Sequence, residues 1–130
     1  MTVLFATHPD CLEHLAGPHH PERPERLHAV WEGVQSAGLG DAVVALDPVP
    51  AERADLERVH PVSYLDRIED ICAAGGGRLD PDTAVVDASW RAARLAAGAG
   101  LTAVQALRDG RGDAAFCAVR PPGHHATRNE

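Results

Sequence analysis

The segment Ala114–Ala126 reads AAFCAVRPPGHHA, an apolar run followed by an arginine, two prolines, a glycine and two adjacent histidines. Its first part, Ala114–Val119, contains only small or apolar residues and ends before a proline, a pattern typical of a strand buried on both faces. Strands of that kind occupy the centre of parallel sheets, where helices cover both faces. The segment therefore predicts a parallel α/β sheet with Ala114–Val119 as a central, buried strand.

The two histidines, His124 and His125, follow the carboxyl end of this predicted strand. Open parallel sheets bind their ligands at that edge, and imidazoles suit proton transfer near neutral pH. Gly123 permits a backbone bend that other residues resist. Adjacent side chains of an extended segment point in opposite directions, so the pair is a poor chelate for one metal ion. The residues alone leave two comparable alternatives, a proton-transfer pair and an exposed polar segment.

The rest of the chain alternates between strand-like and helix-like apolar patterns. Strands are predicted at Val3–Ala6 and Val43–Leu46, and helices from Pro24 to Gly38, within Ala51–Arg58, from Pro61 to Gly75 and from Trp90 to about Leu107. The order predicts an α/β sheet with right-handed crossovers. Since neither a repeat nor a linker interrupts it, residues 1–130 are expected to form one domain.

Several local features carry their own expectations. The first long helix has an apolar stripe that is expected to lie in the core. The glycines Gly75–Gly77 lack the lysine of a phosphate-binding loop and predict a flexible turn. Asp87 or Ser89 is placed to cap the last helix, and Gly98 and Gly100 are expected to allow close packing of that helix on the sheet.

Composition limits the class of protein. The chain has 12 basic and 19 acidic residues and a net charge of −7, which disfavours non-specific binding to nucleic acid or anionic lipid. No apolar stretch approaches the ~20 residues of a membrane span, and no secretory leader is apparent. The 3 cysteines lack metal-site spacing and predict reduced thiols, with Cys117 as a small core residue. A cytoplasmic protein is expected.

Two polar stretches contain residues that bind metals in other proteins. Four of the 8 histidines lie in residues 8–24, where a polar loop is favoured over a metal site because no Cys or carboxylate stands at ligand spacing. The stretch Asp80–Thr83 places two carboxylates around a proline, and turn chemistry is favoured because a calcium loop needs a longer series of oxygen ligands.

Three stretches together resemble the zinc-dependent histone deacetylase family, especially bacterial deacetylase-like amidohydrolases and acetoin-utilisation-type proteins. They are the tandem-histidine segment Arg120–Ala126, the early loop His19–Arg26 (HHPERPER), and Gly75–Thr83 (GGGRLDPDT) followed by Ser89-Trp90. The resemblance covers the N-terminal portion of the family domain. It implies an arginase/deacetylase-like fold, a three-layer, mainly parallel sheet with helices on both faces, truncated in this chain.

The resemblance also implies a chemistry, the hydrolysis of an acyl-amide in acyl-lysine or an acetylated amine, with Zn²⁺ as cofactor. His125 would be the general base and then the general acid, and His124 its electrostatic partner. The residues implied at the substrate channel are Asp80, Asp82, His19, His20 and Gly123.

The family's zinc ligands follow the tandem histidines, so no metal ligand is expected among these residues. The chain alone is expected to be inactive and to need the missing C-terminal half of the domain as its partner. One alternative is a non-catalytic α/β binding or structural module. A weaker one is a metal-binding protein that uses the loop from His8 to His20.

Overall fold

Residues 1–130 form alternating strands and helices in the computed structural model. The elements are β1 (Val3–Ala6), α1 (Glu25–Ser36), β2 (Val43–Leu46), α2 (Arg53–Glu57), α3 (Val62–Ala73), β3 (Gly76–Arg78), β4 (Ala84–Val86), α4 (Ser89–Arg108) and β5 (Ala114–Cys117). Short 3-10 turns lie at Pro9–Leu12 and Gly40–Ala42. The strands and helices predicted from apolar patterns are confirmed, with small shifts at their ends.

The main sheet is parallel and has the strand order β2-β1-β5. Phe5 of β1 is level with Ala45 of β2 and Phe116 of β5. Within residues 1–130 the central strand is therefore β1, and Ala114–Val119 does not take the central position predicted for it. Phe116 is 51% exposed and Cys117 is exposed within residues 1–130, so Cys117 does not belong to the core that these residues form. The apolar composition of this segment indicates a strand. How deeply the strand is buried depends on neighbouring elements, which its own residues do not specify.

Helix α4 covers one face of the sheet with small residues. The core on this side contains Leu4, Ala6 and Leu46 of the sheet with Ala99, Ala103 and Ala106 of α4. Because alanine has a short side chain, the helix backbone lies close to the strands, where dispersion contacts are dense. The alanine-rich pattern of this helix thus determines how closely it packs.

Gly98 of α4 lies against the segment that follows β2. A Cβ atom at this position would overlap the Val49 carbonyl oxygen and would lie 2.7 Å from the Ala51 nitrogen. The Ala51 N–H also donates to the Arg94 carbonyl at 2.9 Å. Gly98 therefore permits close packing as predicted, but the packing is against the segment after β2 and not against the sheet. Gly100 is exposed, and a Cβ atom there would have no neighbour within 4 Å, so its predicted packing role is wrong.

Helix α1 lies on the opposite face of the sheet, which gives helices on both faces as predicted. The ring of Phe5 contacts Trp31 of α1 at 5.4 Å between centroids and stacks on Phe116 at 5.8 Å. No residue of α1 is fully buried, and Trp31 is 43% exposed, so the expectation of a core position for its apolar stripe is wrong. A mainly apolar cavity of about 510 Å³ lies between α1 and the sheet, and Leu27 of α1 and Val43 of β2 are among the residues that line it. This face is only partly covered.

The triple glycine is part of a hairpin. Strand β3 pairs antiparallel with β4, with Gly76 opposite Val86. Gly76 has φ +105°, and a Cβ atom there would overlap the Val85 carbonyl oxygen. Gly75 lies in a turn as predicted, but Gly76 and Gly77 belong to a strand, where Gly76 provides a left-handed backbone and a close strand approach. None of the helices combines the length and the hydropathy that a membrane span requires.

Gly98→Ala tests the close packing of α4. We expect it to lower the free energy of unfolding by about 1–3 kcal/mol, because the added methyl group overlaps backbone atoms that cannot move aside. The matched control is Gly100→Ala in the same helix, which should raise it by up to about 1 kcal/mol through better helix propensity. Urea denaturation measures both, and equal effects of the two substitutions would contradict the close approach at Gly98.

Candidate active site

The tandem histidines lie side by side beyond the carboxyl end of β5. Gly123 has φ +66°, and the Ala126 N–H donates to the Gly123 carbonyl at 3.1 Å, which closes a turn around the pair. The ring centroids of His124 and His125 are 4.3 Å apart in an edge-on arrangement. Both residues are exposed. The bend predicted at Gly123 is thus present, and it lets two consecutive imidazoles approach each other although an extended segment would separate them.

Arg120 begins this loop and is the largest fully buried side chain, with 2% of its surface exposed. Its guanidinium donates to both carboxylate oxygens of Glu22, at 2.6 and 2.7 Å, and to the Cys11 carbonyl at 2.9 Å. A buried charge is tolerated when it is paired and hydrogen-bonded in this way. The bidentate geometry also fixes the orientation of both partners.

His14 extends the buried network from Glu22 to helix α4. Its Nδ1 shares a hydrogen bond of 2.8 Å with the Ser89 hydroxyl, and its Nε2 is 3.6 Å from a Glu22 oxygen. Burial lowers the pKa of His14, with the Glu22 charge opposing this and the Arg120 charge adding to it. Ser89 accepts a hydrogen bond from the Val86 N–H at 2.8 Å. The predicted cap by Asp87 or Ser89 is wrong, since the capping position of α4 is Ala88, without a side-chain hydrogen bond.

The histidine-rich loop meets the acidic turn at His20. The His20 Nδ1 accepts a hydrogen bond from the Glu22 N–H at 3.0 Å, and its Nε2 is 3.5 Å from an oxygen of Asp82. The Asp82 side chain is 95% exposed. His19 is exposed and has φ +65°, a left-handed conformation that is uncommon outside glycine. The structure thus brings together His20 and Asp82, two of the predicted substrate-binding residues, which come from separate stretches of the chain.

The two carboxylates of the acidic turn differ in their surroundings. One Asp80 oxygen accepts hydrogen bonds from the N–H groups of Asp82 and Thr83, at 2.7 and 2.8 Å. The hydrogen bonds from Thr83 and from the Asp82 amide hold the pKa of Asp80 below its ordinary value. Asp80 therefore shapes the turn, as turn chemistry predicts, while Asp82 leaves its carboxylate exposed to solvent.

Sequence reasoning missed the buried polar residues that connect these loops. Arg26, one helical turn after Glu22, approaches it to 3.7 Å, but the bidentate partner of Glu22 is Arg120. The available signal was an arginine placed directly after an apolar strand, since a buried charge requires a partner. Nothing comparable in the sequence around His14 or Ser89 indicated that the two side chains would form a buried hydrogen bond.

Residues 1–130 contain no group of three or more His, Cys, Asp or Glu side chains placed to hold one metal ion. The loop from His8 to His20, one of the candidate metal sites, forms no such group. The side chains of these residues therefore do not fit a zinc site by themselves, and a zinc ion bound near the tandem histidines would need ligands from outside residues 1–130.

The histone deacetylase domain, a known protein family, matches residues 20–130. The chain belongs to this family. It is 36% identical over 132 residues to the histone deacetylase-like amidohydrolase of Pseudomonas aeruginosa, an alignment covering 88% of this chain and 35% of that protein. It is 34% identical over 113 residues to the human polyamine deacetylase HDAC10, covering 82% of this chain and 17% of that protein.

A solved structure confirms the predicted fold class. The crystal structure of the HDA15 HD domain superposes with a TM-score of 0.89 and 28% identity, covering 99% of this chain and 38% of that domain. The family resemblance and the arginase/deacetylase-like architecture are therefore confirmed. The chain spans 35% of the Pseudomonas amidohydrolase and 17% of the human deacetylase.

The buried imidazole of His14 predicts that stability depends on pH. Because its pKa is lowered in the folded state, the unfolded chain binds the proton more readily, and stability rises with pH in that window. The contribution of His14 is therefore complete above its ordinary pKa of 6.5 and is lost as the pH falls below that value. His14→Gln should flatten this slope and lower the free energy of unfolding near neutral pH by about 1–3 kcal/mol through loss of the buried hydrogen bond.

Urea denaturation at several pH values from about 5 to 8 measures this difference. The matched control is His28→Gln, because His28 is exposed on α1. An unchanged slope in His14→Gln would contradict the assignment.

Proposed function

We propose that this chain supplies the acid–base part of a zinc-dependent deacetylase that hydrolyses the acyl-amide bond of acyl-lysine or an acetylated amine. The observation that carries the proposal is the pair of exposed imidazoles, 4.3 Å apart, on a loop anchored by a buried arginine at the carboxyl edge of a parallel sheet. Family membership supports the same reaction class. In open α/β sheets, ligands bind at that edge, which agrees with the proposed position of the site.

The two histidines have separate roles in this proposal. His125 is the general base that removes a proton from the attacking water and then donates a proton to the leaving amine. His124 stays beside it and stabilises the charge that develops. The ligands of the zinc ion belong to residues outside 1–130, because the side chains here form no metal-binding group. Activity then requires the remaining part of the domain as the partner of this chain.

Substrate binding is assigned to the rim where the histidine-rich loop meets the acidic turn. Asp82 is the residue placed to accept hydrogen bonds from the substrate, since its carboxylate is 95% exposed while that of Asp80 is engaged in its own turn. His20 orients Asp82 from a distance of 3.5 Å. His19 and Gly123 are assigned to the same rim. The net charge of −7 suits a substrate that carries a protonated amine.

The alternative is a non-catalytic α/β module that binds a partner. It is favoured by one observation, that neither ring of the tandem pair is hydrogen-bonded to another residue of 1–130, although general bases are usually oriented by a second group. The two functions differ in whether the pair supports chemistry once the domain is completed.

A chimaera distinguishes the two functions. Residues 1–130 would replace the aligned segment of the Pseudomonas amidohydrolase, and activity would be assayed on a fluorogenic acetyl-lysine peptide. We expect the chimaera to bind zinc and deacetylate the peptide, whereas the isolated chain should do neither. A folded, zinc-loaded chimaera without activity would favour the non-catalytic module.

His125→Ala in this chimaera should lower kcat by about a hundredfold or more, as expected for the loss of a positioned general base. His124→Ala should also lower kcat. Zinc content should stay unchanged in both, because neither histidine is a metal ligand in the proposal. The control is His28→Ala on the exposed side of α1. Loss of zinc in His125→Ala, or full activity with zinc bound, would refute the role of His125.

Asp82→Asn in the chimaera should raise KM by about five- to tenfold with little change in kcat, the signature of lost binding that is equal in ground and transition states. His20→Gln should act in the same direction. Asp41→Asn is the matched control, since Asp41 is an exposed carboxylate on the turn Gly40–Ala42. A fall in kcat at constant KM would place Asp82 in the chemistry and not in binding.

A further inference from the structure

The tandem-histidine loop has one buried anchor, the side chain of Arg120. Each of its three nitrogens donates one hydrogen bond: Nε and Nη2 to the two oxygens of Glu22, and Nη1 to the Cys11 carbonyl. Only 2% of the arginine is exposed, and the Glu22 side chain is 14% exposed. A displacement of this guanidinium would leave a buried charge unpaired, so its position is strongly determined.

The chain between this anchor and the histidines is short and stiff. Arg120 is separated from His124 by Pro121, Pro122 and Gly123, and each proline ring locks its φ angle. Gly123, which has no side chain to restrict it, is in the left-handed turn that brings the rings together. The position of the Arg120 anchor therefore restricts where the two imidazoles lie.

The other end of the ion pair reaches the proposed substrate rim. The backbone N–H of Glu22 donates to His20, and His20 lies 3.5 Å from Asp82. One sequence of contacts thus runs from the tandem histidines through Arg120, Glu22 and His20 to Asp82. A second branch runs from Glu22 through His14 to Ser89 at the start of α4.

We infer that Arg120 and Glu22 are positioning residues, whose buried ion pair holds the tandem-histidine loop in register with the substrate-side residues His20 and Asp82. The inference rests on the proposed function for the identity of the two sides. Neither residue touches the reacting atoms; the pair acts through the histidines on one side and through His20 on the other.

The test is made on the 130-residue chain by NMR. The first variant is the double substitution Arg120→Met with Glu22→Leu, because replacing a buried ion pair with apolar residues of similar size commonly preserves folding. Two signals are followed: the nuclear Overhauser effect between the imidazole rings of His124 and His125, and hydrogen exchange of the Ala126 amide. A merely stabilising contact would change the melting temperature and leave both signals intact in the folded protein.

We expect the double variant to melt cooperatively, to lose the contact between the rings and to exchange the Ala126 amide about tenfold faster. The matched control is Arg26→Met, which removes another cation that lies 3.7 Å from Glu22 but is half exposed, and both signals should persist. If the double variant folds and keeps both signals, the inference is overturned.

A milder variant covers the case in which the double variant does not fold. Arg120→Lys keeps the positive charge, but an ammonium group cannot hold both Glu22 oxygens and the Cys11 carbonyl in the same fork geometry. Weakened signals in folded Arg120→Lys would support the inference, and unchanged signals would overturn it. If neither variant folds, the pair is a stabilising contact only, which also overturns it. If the signals are lost as expected here but the chimaera is folded, loaded with zinc and inactive, the proposed function is refuted and the positioning role stands.

Discussion

The buried guanidinium of Arg120 is the constraint on which the arrangement of the site depends. An arginine that is 2% exposed must be paired and hydrogen-bonded inside the protein, and each of its three guanidinium nitrogens donates one hydrogen bond, to Glu22 or to the Cys11 carbonyl. The long polar segment after β1 is therefore folded over the end of β5. His14, which lies in that segment, is buried in the process and contacts Ser89.

Packing around the sheet is asymmetric, and this asymmetry determines which surfaces are available. On one face, alanines of α4 and Gly98 let the helix backbone approach the strands and the segment after β2 closely. On the other face, Phe5 is covered by Trp31 and Phe116, both of which remain partly exposed. The tandem histidines follow β5, which pairs with β1, so the candidate site lies beyond the carboxyl end of that strand.

Local patterns were sufficient to locate the main elements and insufficient to rank their burial. The apolar runs at Val3–Ala6 and Val43–Leu46 and the helical stripes correctly predicted strands and helices, because these patterns reflect interactions within a few residues. The same reasoning placed Ala114–Val119 at the centre of the sheet, although β1 occupies that place. It also missed the β3–β4 hairpin, because Gly76 has no side chain to show an alternating pattern.

The sequence by itself determined the order of strands and helices, the bend at Gly123 between the prolines and the two histidines, and the family, since these depend on neighbouring residues or on motifs in a fixed order. Tertiary structure alone decided that Arg120 pairs with Glu22, 98 residues earlier, and that His14 contacts Ser89, 75 residues later. Ion pairs and buried hydrogen bonds have no periodic signature along the chain. Their partners are selected by the path of the backbone, because only residues brought to within hydrogen-bonding distance in a water-excluded site can satisfy a buried charge.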